Sequence, residues 1–442
     1  MRTKVSRRGF MQTALATAAA GALGRQVARR AAAGAAAPTH KLNVLLLLTD
    51  DQGPQLECLG TRGIRTPATN ELARRGVVFR RAFSTCASCA PARSGILTGM
   101  FPHSNGHWRN TFAPDVTDAA EMFGRESPYG GREAVGVHED IPTLVEILNE
   151  AGYATGITQK WHLSPVWKYP FGQRLGASSQ PGAHGQAARK FLAGGEGKPF
   201  FLMACIGNTH RPYSQGIVPI DAPRVSASAI EAPANLPDTP LLRSDLAQYL
   251  DTVQCADACA GAIIEALKEA GREEDTLIIF TGDQGYCYHR AKATSYYAGA
   301  AAPLIVAGPG VARARESSQL ASHIDLMPTI LNYLGLPIPQ TVQGRSLRPL
   351  LEGGDDGEWR GEVFFEHNAH GPGPAQFYPC RSVFDGRWHY IRNLRAERRW
   401  EGELETLLNL ETWPEELRFA GCEDAFLKAR WDNHSFEATV RA

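Results

Sequence analysis

The stretch LNVLLLL at 42–48 carries almost no polar position, the pattern of a strand covered on both faces, and it stops abruptly at TDDQG. FFLMACI (200–206), TLIIF (276–280) and PLIVA (303–307) repeat the pattern and are predicted as further buried strands. Between these runs the apolar positions take helical spacing. DIPTLVEILNEAG at 140–152 puts Leu144, Ile147 and Leu148 on one face, with Asp140 placed to cap, Pro142 suited to the first turn and Gly152 to end the helix. A long helix is predicted from about Ser244 to Ala270, with Gly271 just past its end. Strands that alternate with helices predict an α/β domain with a large, mostly parallel sheet between helices. In such sheets ligands sit beyond the carboxyl ends of the strands, so the polar residues that follow each run are the ones to inspect.

Beyond Leu351 the texture changes. EGGDDGEW (352–359) is a Gly/Asp linker, and EVFFEH (362–367), RSVFDGRWHYIRNL (381–394) and ETLLNL (405–410) read as short strands. Asp385-Gly386 is a hairpin signal, and a last helix is predicted from about Pro414. The expected division is a leader at 1–37, a catalytic domain at 38–351 and a small α+β domain at 352–442.

The composition, 43% hydrophobic and 21% charged over 442 residues, suits a globular chain with a large core. Lys plus Arg and Asp plus Glu balance at 46 each, so no global field would gather nucleic acid, and recognition of anions must be local. The nine cysteines are odd in number and show no repeating pattern, unlike a small disulfide scaffold.

Two strand ends carry the first chemistry. TDDQG delivers Asp50 and Asp51, and FTGDQG delivers Asp283 and Gln284. Adjacent carboxylates repel and are costly to desolvate unless a cation sits between them, and oxygen-rich ligand sets suit Ca²⁺ or Mg²⁺. A single Asp-Gly turn would explain either end alone; the recurrence at two strand ends favours a metal. CASCAPARSGILTG at 86–99 adds Cys86 and Cys89 in C-x-x-C spacing, which by itself suggests a redox pair or half of a zinc site. No second C-x-x-C completes a zinc site.

Cys89-Ala90-Pro91-Ala92-Arg93, with Thr98-Gly99 behind it, resembles the C-x-P-x-R signature of type I sulfatases. GMFPHSNG (99–106), IPTLVEILNEAGYATG (141–156), QKWHL (159–163), NTHRPY (208–213), HIDLMPTILNYLGLP (323–337) and GRSLRPLL (344–351) resemble further blocks of that family in family order. The resemblance implies an alkaline-phosphatase-like sulfatase fold with a smaller C-terminal antiparallel-sheet domain. It also implies that Cys89 is oxidised to formylglycine by a maturation enzyme. One hydroxyl of the hydrated aldehyde would attack sulfur and the other would later expel sulfate, splitting a difficult reaction into two easier ones.

By the same resemblance Asp50, Asp51, Asp283, Gln284 and residue 89 are the metal ligands, for Ca²⁺ in preference to Mg²⁺. Gln284 departs from the family's usual Asn or His. Arg93 would hold the nucleophile and the sulfate, Lys160 and His162 form the Lys-x-His pair, His210 faces the leaving group, and Lys292 lies against sulfate. Lys160 and His162 point the same way only if their stretch is extended. The other histidines, among them His103, His107, His289, His367 and His370, are at most rim contacts.

LPDTPLLRSDLAQYLDTVQ (236–254) and Tyr378-Pro379-Cys380-Arg381 resemble the heparan N-sulfatase branch, implying N-sulfoglucosamine at a glycosaminoglycan non-reducing end as substrate. An O-sulfatase on another glycan, or a phosphatase or phosphonate hydrolase of the same superfold, is the alternative. SRRGFMQ (6–12), an apolar run at 13–23 and AAAGAAAP (31–38) resemble a twin-arginine export signal, implying a periplasmic or secreted protein with no stable membrane insertion. A homodimer is compatible with all of this.

Overall fold

The computed structural model describes residues 41–111, 135–195, 197–236, 238–288, 290–354, 359–371 and 377–396. The leader at 1–37, the strand expected at 405–410, the helix expected from Pro414 and His289 lie outside them.

The strands are β1 (Asn43–Thr49), β2 (Gly76–Phe83), β3 (Ala154–Thr158), β4 (Gln173–Leu175), β5 (Phe200–Ile206), β6 (Thr276–Gly282), β7 (Leu304–Ala307), β8 (Arg315–Ser322), β9 (Val363–His367), β10 (Cys380–Phe384) and β11 (His389–Asn393). The first eight form one sheet in the order β4-β3-β5-β1-β6-β7-β2-β8. β7 runs antiparallel to both neighbours and every other pairing is parallel, so the sheet is mixed. β9, β10 and β11 form a separate antiparallel sheet.

The continuous apolar runs are explained by helices on both faces of the large sheet. Alternate residues of β1 go to opposite cores: Leu45 and Leu47 pack with Leu202, Phe280 and Val253 on one face, Val44, Leu46 and Leu48 with Met203, Ile279 and Leu97 on the other. The helix read at 140–152 is shorter than expected, Leu144–Glu150, because Thr143 and not Asp140 caps it. The Thr143 side chain accepts from the Glu146 amide while the Glu146 carboxylate takes the Thr143 amide, a reciprocal box that fixes the start. The long helix is Pro240–Glu269, begun one turn early by Thr239, whose hydroxyl accepts from the Leu242 amide.

The small sheet packs its inner face, Val363, Phe365 and Phe384, against Phe83 at the end of β2, with the Phe83 and Phe365 rings stacked at 5.8 Å. The Glu366 amide donates to Thr85 O at 2.8 Å, so β9 grips the segment that leads into Cys89. Asp385-Gly386 makes the expected turn, with Gly386 at φ 92°. Among the described residues no helix is long and apolar enough to cross a membrane.

Candidate active site

Four neighbouring parallel strands, β3, β5, β1 and β6, end on one edge of the sheet, and the residues that follow them converge. After β1 come Asp50 and Asp51, after β6 Asp283 and Gln284, after β3 Lys160, and after β5 His210. Backbone bonds lock these turns together: the Asp50 amide donates to Ile206 O at 3.0 Å and the Asp283 amide to Thr49 O at 2.9 Å. Asp51 takes a left-handed φ of 55°, uncommon for a residue with a Cβ, and its amide donates to Asp283 Oδ1 at 3.0 Å. Gly282 must be glycine, because a Cβ there would lie 2.3 Å from Gln52 O.

Cys89 enters from the other side as the first residue of a wholly buried helix, Cys89–Thr98, which Gly99 ends at φ 65°. Ligand atoms of Asp50, Cys89 and Asp283 lie within 4.8 Å of one another, and so do those of Asp51, Cys89 and His210. Gln284 Nε2 donates to Asp51 Oδ1 at 2.7 Å and to Cys89 Sγ at 3.2 Å.

Three fixed cations answer the three carboxylates. Lys160 Nζ lies 2.6 Å from Asp50 Oδ2 and Lys292 Nζ 2.8 Å from Asp51 Oδ2. Arg93, fully buried, donates from Nε to Asp283 Oδ2 at 3.0 Å and from an NH group to Cys205 Sγ at 3.2 Å. His210 Nδ1 donates to Arg211 O at 2.5 Å, which leaves Nε2 facing Lys292 Nζ at 3.4 Å and Asp51 Oδ2 at 3.7 Å.

Burial would raise the Asp50 carboxyl, but Lys160, His210, Arg93 and Lys292 outweigh it and hold Asp50 well below the usual carboxylate range. Burial and the neighbouring Asp50 charge push Asp283 the other way, up. Burial also pushes the Cys89 thiol well up, beyond what Lys160 and Lys292 recover. As cysteine, position 89 is a protonated and poor nucleophile.

The donor set fits a divalent cation. Asp50 Oδ1 and Gln284 Oε1 are buried and have no hydrogen-bond partner, and oxygens from carboxylates and an amide are the ligands hard cations take. Turned over, the Gln284 amide would set Oε1 against Asp51, an arrangement stabilised by a cation between the two oxygens. With three carboxylates already balanced by Arg93, Lys160 and Lys292, a divalent ion leaves the cluster positive, the sign that receives an anion.

The turn after β3 is not extended: Gln159 and His162 both have left-handed φ, 55° and 44°. Lys160 reaches the carboxylates from this kink, while burial, Lys160 and Arg93 keep the His162 imidazole neutral by pushing its pKa well down. All eight described cysteines are free, so Cys86 and Cys89 form no disulfide, and burial pushes the Cys86 thiol up. An open cavity of about 310 Å³ beside the cluster is lined by Asp50, Gln159, Lys160, His210 and Gln215 among others.

The structure thus brings Asp50, Asp51, Cys89, Arg93, Lys160, His210, Asp283, Gln284 and Lys292 together. Sequence reasoning missed Cys205 and Asn110 and gave His370 at most a rim contact, whereas it is 6% exposed and packs behind Cys89. Cys205 is the next-to-last residue of the run FFLMACI; Asn110 and His370, which hold the segment around Cys89, sit in no pattern at all.

Comparison with known proteins bears on the family. A family model described as sulfatase matches residues 42–336, and one described as N-sulphoglucosamine sulphohydrolase, C-terminal, matches 285–426. The chain is 31% identical to human N-sulphoglucosamine sulphohydrolase over 390 residues, 80% of this chain and 73% of the relative. It is 26% identical to human N-acetylglucosamine-6-sulfatase, over 82% of this chain and 76% of that one. Among solved structures, a 2-O GAG sulfatase superposes with a TM-score of 0.65 at 19% identity, covering 91% of this chain and 94% of the other.

Proposed function

The chain belongs to the sulfatase family, and on that premise we propose that it hydrolyses the N-linked sulfate of N-sulfoglucosamine at the non-reducing end of a glycosaminoglycan. The observation that carries the reaction is the convergence on Cys89 of three carboxylates, Gln284 and three cations at the strand ends. The choice of substrate is supported by the 31% identity to the human N-sulphoglucosamine sulphohydrolase and by the match to that enzyme's C-terminal model.

Asp50, Asp51, Asp283 and Gln284 would hold a divalent metal, Ca²⁺ by ligand type, together with residue 89. Converted to formylglycine, position 89 supplies a hydrated aldehyde as nucleophile, and the metal when bound supplies Lewis acidity and charge neutralisation. The chain's own side chains do the rest. Arg93 orients the nucleophile and sulfate through its fork of donors. Lys160 and Lys292, now on Asp50 and Asp51, turn their ammonium groups to the sulfate oxygens, with charge-assisted contacts of about 1.5–3 kcal/mol each. His210 holds its Nδ1 proton on Arg211 O, so Nε2 is the ring atom through which a proton would pass to the leaving nitrogen. His162, neutral and beside Lys160, shapes the kink that aims the lysine. The cavity beside Asp50 and His210 would take the sugar.

Arg7 and Arg8 support a twin-arginine export signal and hence a periplasmic or secreted location, with conversion of Cys89 by a maturation enzyme. The test assays N-sulfoglucosamine, 6-O-sulfated N-acetylglucosamine and an aryl sulfate side by side, with peptide mass spectrometry of position 89. The expected result is formylglycine at 89 and turnover chiefly of N-sulfoglucosamine. Turnover of the O-sulfated sugar alone would overturn the N-sulfate assignment, and activity on phosphate or phosphonate esters alone the sulfatase chemistry.

A further inference from the structure

Position 89 is bracketed by two residues that are held from one imidazole. Asn110 Oδ1 accepts from the Ala90 amide at 2.9 Å, Asn110 Nδ2 lies 2.9 Å from His370 Nε2, and His370 Nδ1 lies 2.9 Å from Ser88 Oγ. The Asn110 amide donates to His370 O at 3.0 Å, closing a second link between the same two residues. Ser88 is 0% exposed, Asn110 2% and His370 6%, so none of these bonds competes with bulk water. The proton positions follow from the first contact. Asn110 Oδ1 is committed to a backbone N–H, so its Nδ2 must face the ring; His370 Nε2 therefore accepts, and Nδ1 carries the proton and donates to Ser88 Oγ.

We infer that His370 is a positioning residue for the nucleophile. Through Ser88 on one side and Asn110 on the other it fixes the backbone that flanks position 89, so that the group there points between Asp50, Asp51 and Asp283. The contacts run from the start of the helix Cys89–Thr98 to the loop after β9, which makes the small sheet a part of the catalytic frame. The inference rests on position 89 as the seat of the nucleophile. A displacement of about 1 Å in a reacting group costs on the order of 100-fold in rate, and loss of a supporting hydrogen bond one layer out costs about 10- to 100-fold.

The test uses His370→Phe, His370→Asn, Ser88→Ala and the double variant Ser88→Ala/His370→Phe in the full chain. Each is measured for conversion at position 89 by mass spectrometry, for thermal midpoint, and for kcat and KM on the substrate that the wild type turns over. For His370→Phe, kcat per converted site should fall about 10- to 100-fold, with KM unchanged within about twofold. His370→Asn, whose amide can donate to Ser88 in place of Nδ1, should recover part of kcat. The double variant should be no slower than His370→Phe alone, because both changes break the same link. Wild-type kcat in converted His370→Phe, a loss confined to KM or to the thermal midpoint, or losses that multiply in the double variant would overturn the inference. If His370→Phe does not fold, the Asn and Ala variants decide by the same kcat reading. An active wild type with unconverted Cys89 would instead overturn the reading on which the inference rests.

Discussion

Two buried arginines face aspartates in this molecule, and they are satisfied to different degrees. Arg211 meets Asp245 with two donors, one of them at 3.1 Å, sends Nε to Cys287 O at 3.3 Å, and lies 4.1 Å from the Tyr213 ring centre, while Tyr288 OH donates to Asp245 at 2.6 Å. Arg93 meets Asp283 with one donor and has an NH group without a hydrogen bond, 3.7 Å from the bare Asp50 Oδ1. Burying a polar group without a partner is costly, and a charged group most of all, so an unmatched guanidinium beside a bare carboxylate oxygen calls for an explanation. Every charged nitrogen and oxygen of the Arg211–Asp245 pair is hydrogen-bonded, and the pair ties the loop bearing His210 to the long helix; Arg93 keeps an unmatched NH group in the cluster proposed above to receive a metal and an anion.

That contrast is sharpest at Cys89. Cys89→Ala removes the proposed nucleophile from the open cluster but no hydrogen bond that the core needs, so turnover should fall by at least about 10⁴-fold while the denaturation midpoint stays near that of the wild type. Steady-state rates and a urea titration on one preparation check it. Activity surviving in the Ala variant would mean that the open cluster works without position 89.

Asp245→Ala should do the reverse. It strands Arg211 in the core without its carboxylate, a loss of about 3–5 kcal/mol in folding free energy for a buried pair broken on one side. A denaturant midpoint within error of the wild type would erase the difference between the clusters.

The proposed metal gives the third comparison. A ligand held at about 100 times its Kd stabilises the native state by about 2.7 kcal/mol, so chelation should lower the thermal midpoint, and Ca²⁺ should restore it. Gln284→Leu should abolish that response with activity, and Gln284→Asn, which keeps the amide oxygen, should retain much of both. A Leu variant that still responds to Ca²⁺ would show that Gln284 Oε1 is not a ligand.

How far all this could be read from sequence depends on the range of the contact. Asp50, Asp51, Asp283 and Gln284 were legible because a strand run followed at once by carboxylates is a local pattern, and β1 and β6 are neighbours in the sheet. Cys89, Arg93, Lys160, His210 and Lys292 were legible through their motifs. The antiparallel course of β7 was not, since four apolar residues read alike in either direction. His370 reaches Ser88 across 282 positions from a loop with no periodicity, and nothing local to it announces the contact. Thr143 displaced Asp140 as a cap because only Thr143 has Glu146 at the reciprocal position.

A third kind of buried group tests the comparison at its smallest scale: one whose charge is suppressed rather than paired or left open. His323 is 0% exposed and sits beneath β6. The Thr281 hydroxyl donates to Pro303 O at 2.6 Å, so its oxygen is the acceptor for His323 Nε2–H at 3.0 Å, and Nδ1 has no partner. Burial pushes this imidazole down to about 3, against the usual 6.5. The native state therefore refuses a proton that the unfolded chain takes up below about pH 6.5. More protons bound in the unfolded state means that stability rises with pH across this window, so acidification from 6.5 toward 3 removes about 1.4 kcal/mol per pH unit through this one group. His323→Gln keeps a donor for Thr281 and removes the titration. The wild type should be the more stable of the two at pH 7, and its advantage should shrink by about 1.4 kcal/mol per unit as pH falls from 6 to 4 in urea titrations of chelated protein. A gap that stays constant over that range would mean that His323 takes up its proton in the folded state, and that burial there does not suppress charge.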